Sequence, residues 1–365
     1  MRIAQVSPLY ESVPPKLYGG TERVVSYLTE ALVEQGHDVT LYASGDSVTK
    51  ATLIAPVEQS LRLAPNVVDP LAHHFVMLEQ LFRDVAEYDI IHFHIDYLHF
   101  PLSRLYAQPH LTTLHGRLDL PDLQPLYDEY SEMPVVSISN AQRKPLPQAN
   151  WVGTVYHGLP EDLLSFHPEP GKYLAFLGRI SPEKRVDRAI EVAKRLDMPL
   201  KIAAKIDKAD RDYYEEQIKP LFDHPLVEYI GEINEHEKEE FLGNAYALLF
   251  PIDWPEPFGL VLIEAMATGT PVVAFGHGSV PEVMEDGVTG FIVSSLDEMV
   301  EATRRVADLS RERCRQVFEA RFTAKRMAED YVALYEEIVQ QRQAKYEAPV
   351  FSLDGPELMR GRVNR

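Results

Sequence analysis

The chain reads as an α/β protein of two halves, each a parallel sheet covered by helices on both faces, with a cleft between them. Three observations predict this. Short apolar strands alternate with helical patterns along most of the 365 residues, and such alternation gives parallel sheets. The alternation pauses at His157–Gly171, where Pro160, Pro168, Pro170 and two glycines replace apolar periodicity, and then restarts, as expected of an interdomain linker. The length is also more than one hydrophobic core usually serves.

The elements follow in order. Met1–Ser7 is a short apolar strand, and Tyr10–Gly20 is a loop bearing Pro14, Pro15, Gly19 and Gly20. Thr21 can cap the next helix, in which Val24, Val25, Leu28 and Leu32 recur at helical spacing before Gly36 ends it. Asp38–Ala43 is a strand, Leu71–Glu87 a helix, Ile90–Phe93 and Leu111–Leu114 strands, and Tyr127–Glu132 a helix. Pro134–Ile138 is a strand, Ser139–Arg143 a short Ser-capped helix, and Val152–Tyr156 a strand. After the linker, strands are expected at Lys172–Leu177, Leu200–Ala204, Val227–Ile230, Ala247–Phe250, Pro271–Phe275 and Gly290–Val293. Helices are expected at Val186–Leu196, Asp210–Phe222, Glu235–Asn244, Leu296–Asp308 and through Ser310–Gln340.

Composition narrows the function. Fifty-six acids against 36 bases give a net charge of −20, which argues against wholesale nucleic-acid binding. No apolar run is long enough to span a membrane and no basic-then-apolar leader opens the sequence. The single cysteine, Cys314, excludes an internal disulfide and suits a reducing cytoplasm; its charged helical surroundings make it a bystander.

Glu256-Pro-Phe-Gly-Leu-Val-Leu-Ile-Glu264 is the densest stretch. Pro257 fits the first turn of a helix, and the amides of Phe258, Gly259 and Leu260 would then point out of the helix end toward an anion. Leu260, Val261 and Ile263 can pack inward. Glu256 and Glu264 would lie about 12 Å apart on a helix, too far to act on one bond and suited to the two ends of a long polar ligand. Spacing alone does not separate that clamp from an ordinary amphipathic helix. Gly178-Arg-Ile-Ser-Pro-Glu-Lys184 places Arg179 and Lys184 on one loop, a fork and a point charge suited to a diphosphate, or simply helix-start chemistry. Gly19-Gly20 before a helix could also hold phosphate. His115-Gly116 ends a strand, where a substrate hydroxyl or phosphate could reach it, although a satisfied core histidine reads equally well. His92, His94 and His115 suggest a zinc set, but no fourth ligand is evident and the reading is disfavoured. Phe275–Glu282 is another glycine-bearing loop after a strand, expected along the same crevice, with Glu282 capping or pairing. No phosphate loop, nucleophile elbow or dinucleotide fingerprint follows a strand.

Together these residues resemble a retaining glycosyltransferase of family 4, with the GT-B fold. Glu256–Glu264 matches the family's Glu-x7-Glu motif, including Pro-Phe-Gly-Leu and the following Glu-Ala-Met-Ala-Thr-Gly-Thr-Pro-Val-Val-Ala. Gly19-Gly20-Thr-Glu-Arg, His115-Gly116, and Gly178-Arg179 with Glu183-Lys184 match in the family's order. The resemblance implies an N-terminal Rossmann-like, acceptor-binding domain at 1–160 and a C-terminal Rossmann-like, nucleotide-sugar-binding domain at 161–322. A helix at 323–345 would return to the N-terminal domain, and 346–365 would form a flexible tail. It implies a nucleotide-sugar co-substrate, no other cofactor and no essential metal. Arg179 and Lys184 would neutralise the diphosphate, Glu256 and His115 would contact the donor sugar, and Glu264 would hold the ribose. Gly19, Gly20, Phe258, Gly259 and Leu260 would complete the donor site.

The acceptor, whether sugar, lipid-linked or small molecule, is left open, as is the nucleotide base. Expected absences are nucleic-acid partners and a transmembrane segment, and the expected location is the cytoplasm. Departures from the family are His157-Gly158-Leu159 in place of Asn-Gly-Val, Lys205 in place of a strand-end glycine, and a long opening loop, Val13-Pro-Pro-Lys-Leu-Tyr18. An epimerase or phosphorylase of the same fold and a non-catalytic sugar-nucleotide binder are the alternatives.

Overall fold

A computed structural model describes residues 1–16, 19–106 and 108–347. Leu17 and Tyr18 of the long opening loop, and the expected tail from residue 348 on, lie outside the described residues.

The N-terminal half holds a seven-stranded sheet of β1 (Arg2–Val6), β2 (Asp38–Tyr42), β3 (Thr52–Ile54), β4 (Ile90–Phe93), β5 (His110–Thr113), β6 (Pro134–Ser137) and β7 (Asn150–Thr154), in the order β3-β2-β1-β4-β5-β6-β7. The second half holds β8 (Tyr173–Arg179), β9 (Leu200–Lys205), β10 (Val227–Gly231), β11 (Ala245–Phe250), β12 (Val272–Phe275) and β13 (Gly290–Val293), in the order β10-β9-β8-β11-β12-β13. Every pairing is parallel. The central strands are apolar runs buried on both faces, as in the wholly buried β4 and β12. The expected two-half architecture is therefore present.

Several elements differ from expectation, each for a local reason. β3 and the helix Phe100–Leu105 were not expected; each is short and lacks a full hydrophobic period. The first helix spans Gly20–Glu34, so Thr21 is inside it rather than capping it; Gly19 occupies the cap position and no side chain caps this end. Asp69 starts the next helix, Pro70–Arg83, by accepting hydrogen bonds from Leu71 N and Ala72 N, and the expected extension to Glu87 is a separate tight turn. The helix expected at Tyr127–Glu132 lies earlier, at Leu123–Glu129. The segment 208–223 is helical but irregular, passing through tight and wide turns.

The last helix, Ala324–Glu347, returns to the N-terminal half. It packs along Gly20–Glu34, and Tyr331 and Tyr335, both fully buried, reach the N-terminal sheet. The two crossing points of the chain are stitched side by side: Leu159 N donates to Phe322 O (2.9 Å) and Ala324 N to Leu159 O (2.7 Å). Cys314 is buried, and burial pushes its thiol up to about 12, which leaves it inert. Among the described residues no helix is long and apolar enough to cross a membrane.

Candidate active site

In open parallel sheets, ligands gather where the strand order reverses direction, beyond the strands' C-terminal ends. The second sheet reverses between β8 and β11, and the first between β1 and β4. The loops after these four strands face one another across a cleft of about 760 Å³ lined by both halves. Every residue expected at the donor site, namely Gly19, Gly20, His115, Arg179, Lys184, Glu256, Phe258, Gly259, Leu260 and Glu264, lies on its wall.

The stretch Glu256–Glu264 is not one helix. The helix spans Leu260–Thr268, and Gly259 sits before it at φ 81, without a side-chain cap. Pro257 therefore precedes the helix instead of opening it, because the left-handed turn at Gly259 changes the chain direction, which an L side chain resists. The open amides belong to the start at Gly259 and Leu260. Leu262 and Ile263 pack inward, whereas Leu260 and Val261 are half-buried on the cleft. Phe258 is buried against His157, with ring centroids 4.8 Å apart. Gly20 faces Leu260 closely enough that a Cβ there would lie 3.9 Å from Leu260 Cδ1. Two uncapped helix starts thus converge on one space, which favours an anion between them.

Glu256 is held on three sides. Its carboxylate pairs with Lys184 and accepts from Trp254 Nε1 at 3.0 Å. Its backbone O accepts from Ser279 N at 2.9 Å. The Lys184 ammonium lies 5.0 Å from the centroid of the Trp254 ring. Arg179, at the end of β8, pairs with Glu183 (2.6 Å), Asp207 (3.4 Å) and Asp210 (3.9 Å), and its register partner Lys205 pairs with Asp207 at 3.0 Å. The two cations expected to await a diphosphate are therefore both engaged by carboxylates in this state, with Lys205 beside them on the wall.

Glu264 is buried and accepts from Lys238 Nζ at 2.7 Å. Lys238 also lies 3.5 Å from Glu235, and Glu235 pairs with Arg23 of the opposite half. Burial lowers the Lys238 ammonium, with Glu264 partly offsetting it. The chain of charges Arg23–Glu235–Lys238–Glu264 thus crosses the cleft. Sequence reading missed Lys238, and it held Arg23 as the end of the Gly19-Gly20-Thr-Glu-Arg motif without giving it a role. The capping box Asn234/Glu237 fixes the start of the helix Glu235–Gly243 that carries Lys238.

On the N-terminal wall, His115 Nε2 and His94 Nδ1 share a hydrogen bond of 2.9 Å, and His94 Nε2 donates to Gln5 Oε1 at 2.8 Å. Gln5 Nε2 donates to Tyr335 OH at 3.1 Å, and Tyr335 OH lies 2.7 Å from His92 Nδ1. The last helix therefore buttresses the histidine that faces the cleft. Burial pushes His115 down to about 3 and holds His92, His94 and His157 well below the usual histidine range, so all four are neutral imidazoles at neutral pH. His157 was read as part of the linker; it stacks on His115, with centroids 5.4 Å apart. Among the described residues no group of three or more histidine, cysteine or acidic side chains could hold a metal ion.

The halves also meet beside the cleft. Glu282 accepts from Asn140 N (2.8 Å) and Ala141 N (2.6 Å), so it caps the short helix Asn140–Arg143 of the other half. Ser139 Oγ donates to Pro257 O at 2.6 Å.

Comparison with known proteins bears on this cleft. Residues 18–171 match the family model described as Glycosyltransferase Family 4, and residues 165–321 the model described as Glycosyl transferases group 1. An uncharacterised glycosyltransferase of Methanocaldococcus jannaschii is 26% identical over 345 residues, covering 80% of this chain and 85% of the relative. The phosphatidyl-myo-inositol mannosyltransferase of Mycolicibacterium smegmatis is 28% identical over 326 residues, covering 80% and 81%. Among solved structures, AviGT4, a glycosyltransferase involved in avilamycin A biosynthesis, superposes with a TM-score of 0.73 at 23% identity, over 93% of this chain and 98% of that one. Anabaena HepE, solved with UDP-glucose, superposes at 0.68 with 18% identity, over 94% and 100%.

Proposed function

This chain belongs to the group 1, family 4 glycosyltransferases, and on that premise we propose that it moves a glycosyl group from a nucleotide-diphosphate sugar to an acceptor hydroxyl, with retained anomeric configuration and without a catalytic metal ion. The observation that carries the reading is the convergence of two uncapped helix starts, at Gly20 and at Gly259–Leu260, on the cleft that also holds Lys184, Glu256 and Glu264. HepE, of the same fold, binds UDP-glucose, and that supports the class of donor.

In this reading Glu264, steadied by Lys238, accepts hydrogen bonds from the ribose hydroxyls. Glu256 does the same for hydroxyls of the donor sugar. The diphosphate lies against the amides of Gly20, Gly259 and Leu260, and it draws Lys184 and Arg179 away from their carboxylate partners. As the glycosyl bond breaks, negative charge grows on the departing phosphate oxygen. Lys184, Arg179 and the fixed amide dipoles stabilise that charge in place of water. The same oxygen can take the acceptor proton on the face it leaves, which gives retention. His115, a neutral imidazole, hydrogen-bonds the sugar and does not act as a general acid. Glu256 and Glu264 do not form an acid–nucleophile pair across one bond, so the carboxylate-separation rule of glycosidases does not apply.

The test is NMR of the product formed from a panel of nucleotide sugars in the presence of a chelator. The expected result is a glycoside with the donor's anomeric configuration, formed at the same rate with or without chelator. Inversion contradicts the stereochemical claim, and loss of activity on chelation contradicts metal independence.

A further inference from the structure

The donor reading gives His115 a hydrogen bond to the sugar and leaves open whether the ring donates or accepts. The residues behind it decide that. Gln5 on β1 and His92 on β4 are register partners, so their side chains emerge on one face of the sheet, and His94, two residues on, joins them. Gln5, His92 and Tyr335 are fully buried and His94 nearly so. A buried polar chain of this kind has to match each donor with an acceptor.

The Gln5 amide sets the direction of that matching, because its two ends differ. Its Nε2 end has two acceptors in reach, Tyr335 OH at 3.1 Å and His92 Nδ1 at 3.5 Å. Its Oε1 end lies 2.8 Å from His94 Nε2. The proton of His94 therefore sits on Nε2. A neutral imidazole carries one N–H, so His94 Nδ1 accepts, and the group 2.9 Å from it, His115 Nε2, must donate. On the far side, Tyr335 O–H turns to His92 Nδ1, His92 Nε2–H to Thr113 Oγ1, and Thr113 O–H to Tyr331 OH, each at 2.7 Å. Crowding and burial keep the rings neutral: the centroids of His92 and His94 are 4.0 Å apart, and burial holds His92, His94 and His115 below the usual histidine range.

The remaining ring nitrogen is the one left for a ligand. His115 lines the cleft, and its Nδ1 makes no hydrogen bond with a described residue. His157 lies nearly parallel to the ring, at 17°, which holds its plane. With the N–H spent on His94, Nδ1 offers a lone pair. It can take a hydroxyl hydrogen and has no proton to give to a leaving oxygen.

We propose that Gln5 and Tyr335 are positioning residues that fix His115 as the tautomer protonated on Nε2, so that its Nδ1 accepts a hydrogen bond from a hydroxyl of the donor sugar. The last helix thus sets the hydrogen-bonding sense of a cleft residue through Gln5 and His94. The identity of the ligand rests on the donor reading; the tautomer does not.

Nitrogen NMR of protein carrying isotope-labelled histidine tests the tautomer, with His115→Asn identifying the signals of this ring. The proteins compared are the wild type, Tyr335→Phe and Gln5→Met, with melting curves confirming which are folded. The wild type is expected to show His115 protonated on Nε2 alone, and the folded variants a mixture of both tautomers. Calorimetry with UDP-glucose and GDP-mannose, each against its free nucleoside diphosphate, reads the consequence. The sugar nucleotide that binds the wild type is expected to bind the variants about fivefold more weakly, with nucleoside diphosphate binding unchanged. A role in packing alone would move the melting temperature and leave the tautomer as it is. Protonation on Nδ1 in the wild type overturns the proposal, as does a pure Nε2 tautomer in the folded variants. Mixed tautomers with unchanged sugar-nucleotide binding overturn the contact with the sugar. Failure of every nucleotide to bind the wild type counts against the donor reading, and the nitrogen spectra still decide the tautomer.

Discussion

At the scale of single residues, the cleft is a set of buried charges whose partners matter as much as the charges themselves. Lys238 neutralises Glu264 in a pocket that leaves Glu264 almost no water. Removing one member of such a pair leaves the other charge uncompensated. Lys238→Met is therefore expected to lower stability by about 3 kcal/mol, and the double change with Glu264→Gln by clearly less; thermal unfolding of the four proteins in a double-mutant cycle checks this. The buried histidines make a second prediction. His92, His94, His99, His115 and His157 are all held below the ordinary histidine value, chiefly by burial. In the unfolded chain they titrate near about 6.5. The folded state thus binds fewer protons below that pH, so their contribution is present above it and lost as pH falls, for His115 down to about 3. Each such group adds a slope of about 1.4 kcal/mol per pH unit. The melting temperature is expected to be nearly flat above pH 7.5 and to fall steeply from 6.5 to 5. A flat profile through that range would contradict the burial of these rings. Glu256, Glu264, Arg179 and Lys184 were legible in the sequence because each sits in a dense local pattern. The parts played by Lys238, Arg23 and His157 were not, because their partners are distant: Lys238 is 26 positions from Glu264, and Arg23 is 212 from Glu235.

At the scale of elements, the strands were legible because parallel strands buried on both faces read as apolar runs, and most boundaries fell within a residue or two. The start of the helix after Glu256 was misread. Pro257 suits a first turn, and nothing local reveals that Gly259 turns left-handed and delays the helix to Leu260. What fixes that turn comes from another loop. Gly278, at φ 60, lies so close to Glu256 that a Cβ would come within 2.3 Å of the Glu256 backbone N and O. Ser279 then takes Glu256 O and, through Oγ, Phe258 O at 2.9 Å. Gly278→Ala is accordingly expected to destabilise the protein by more than about 1 kcal/mol and to displace Glu256. Melting curves together with donor KM and kcat check it. The account requires loss in both; a folded variant with unchanged kinetics would remove this loop from the support of Glu256.

At the scale of the whole molecule, the two halves and the returning helix followed from the alternation and from the family resemblance, whereas the contacts that close the cleft did not. Arg23 and Glu235 pair across it, with Arg23 almost fully buried, and Glu282 caps a helix of the opposite half. Coupling between closure and binding is worth 1–3 kcal/mol in typical cases. Arg23→Met is expected to raise the radius of gyration of the ligand-free protein in solution scattering and to weaken nucleotide binding roughly fivefold, and saturating nucleotide should restore the compact form. Closure matters because it brings the helix starts at Gly20 and Leu260 to one space, where the proposed reaction would place its leaving group, beside the Lys184–Glu256 pair. The most direct measurement of the account is therefore turnover of a nucleotide-diphosphate sugar by wild type and by Lys184→Ala, with melting curves confirming that both are folded. The predicted result is glycoside and nucleoside diphosphate from the wild type, with kcat at least about a hundredfold lower in the variant, the size of effect expected when one preorganised charge is removed from a developing anion. Near-normal turnover by folded Lys184→Ala would contradict it.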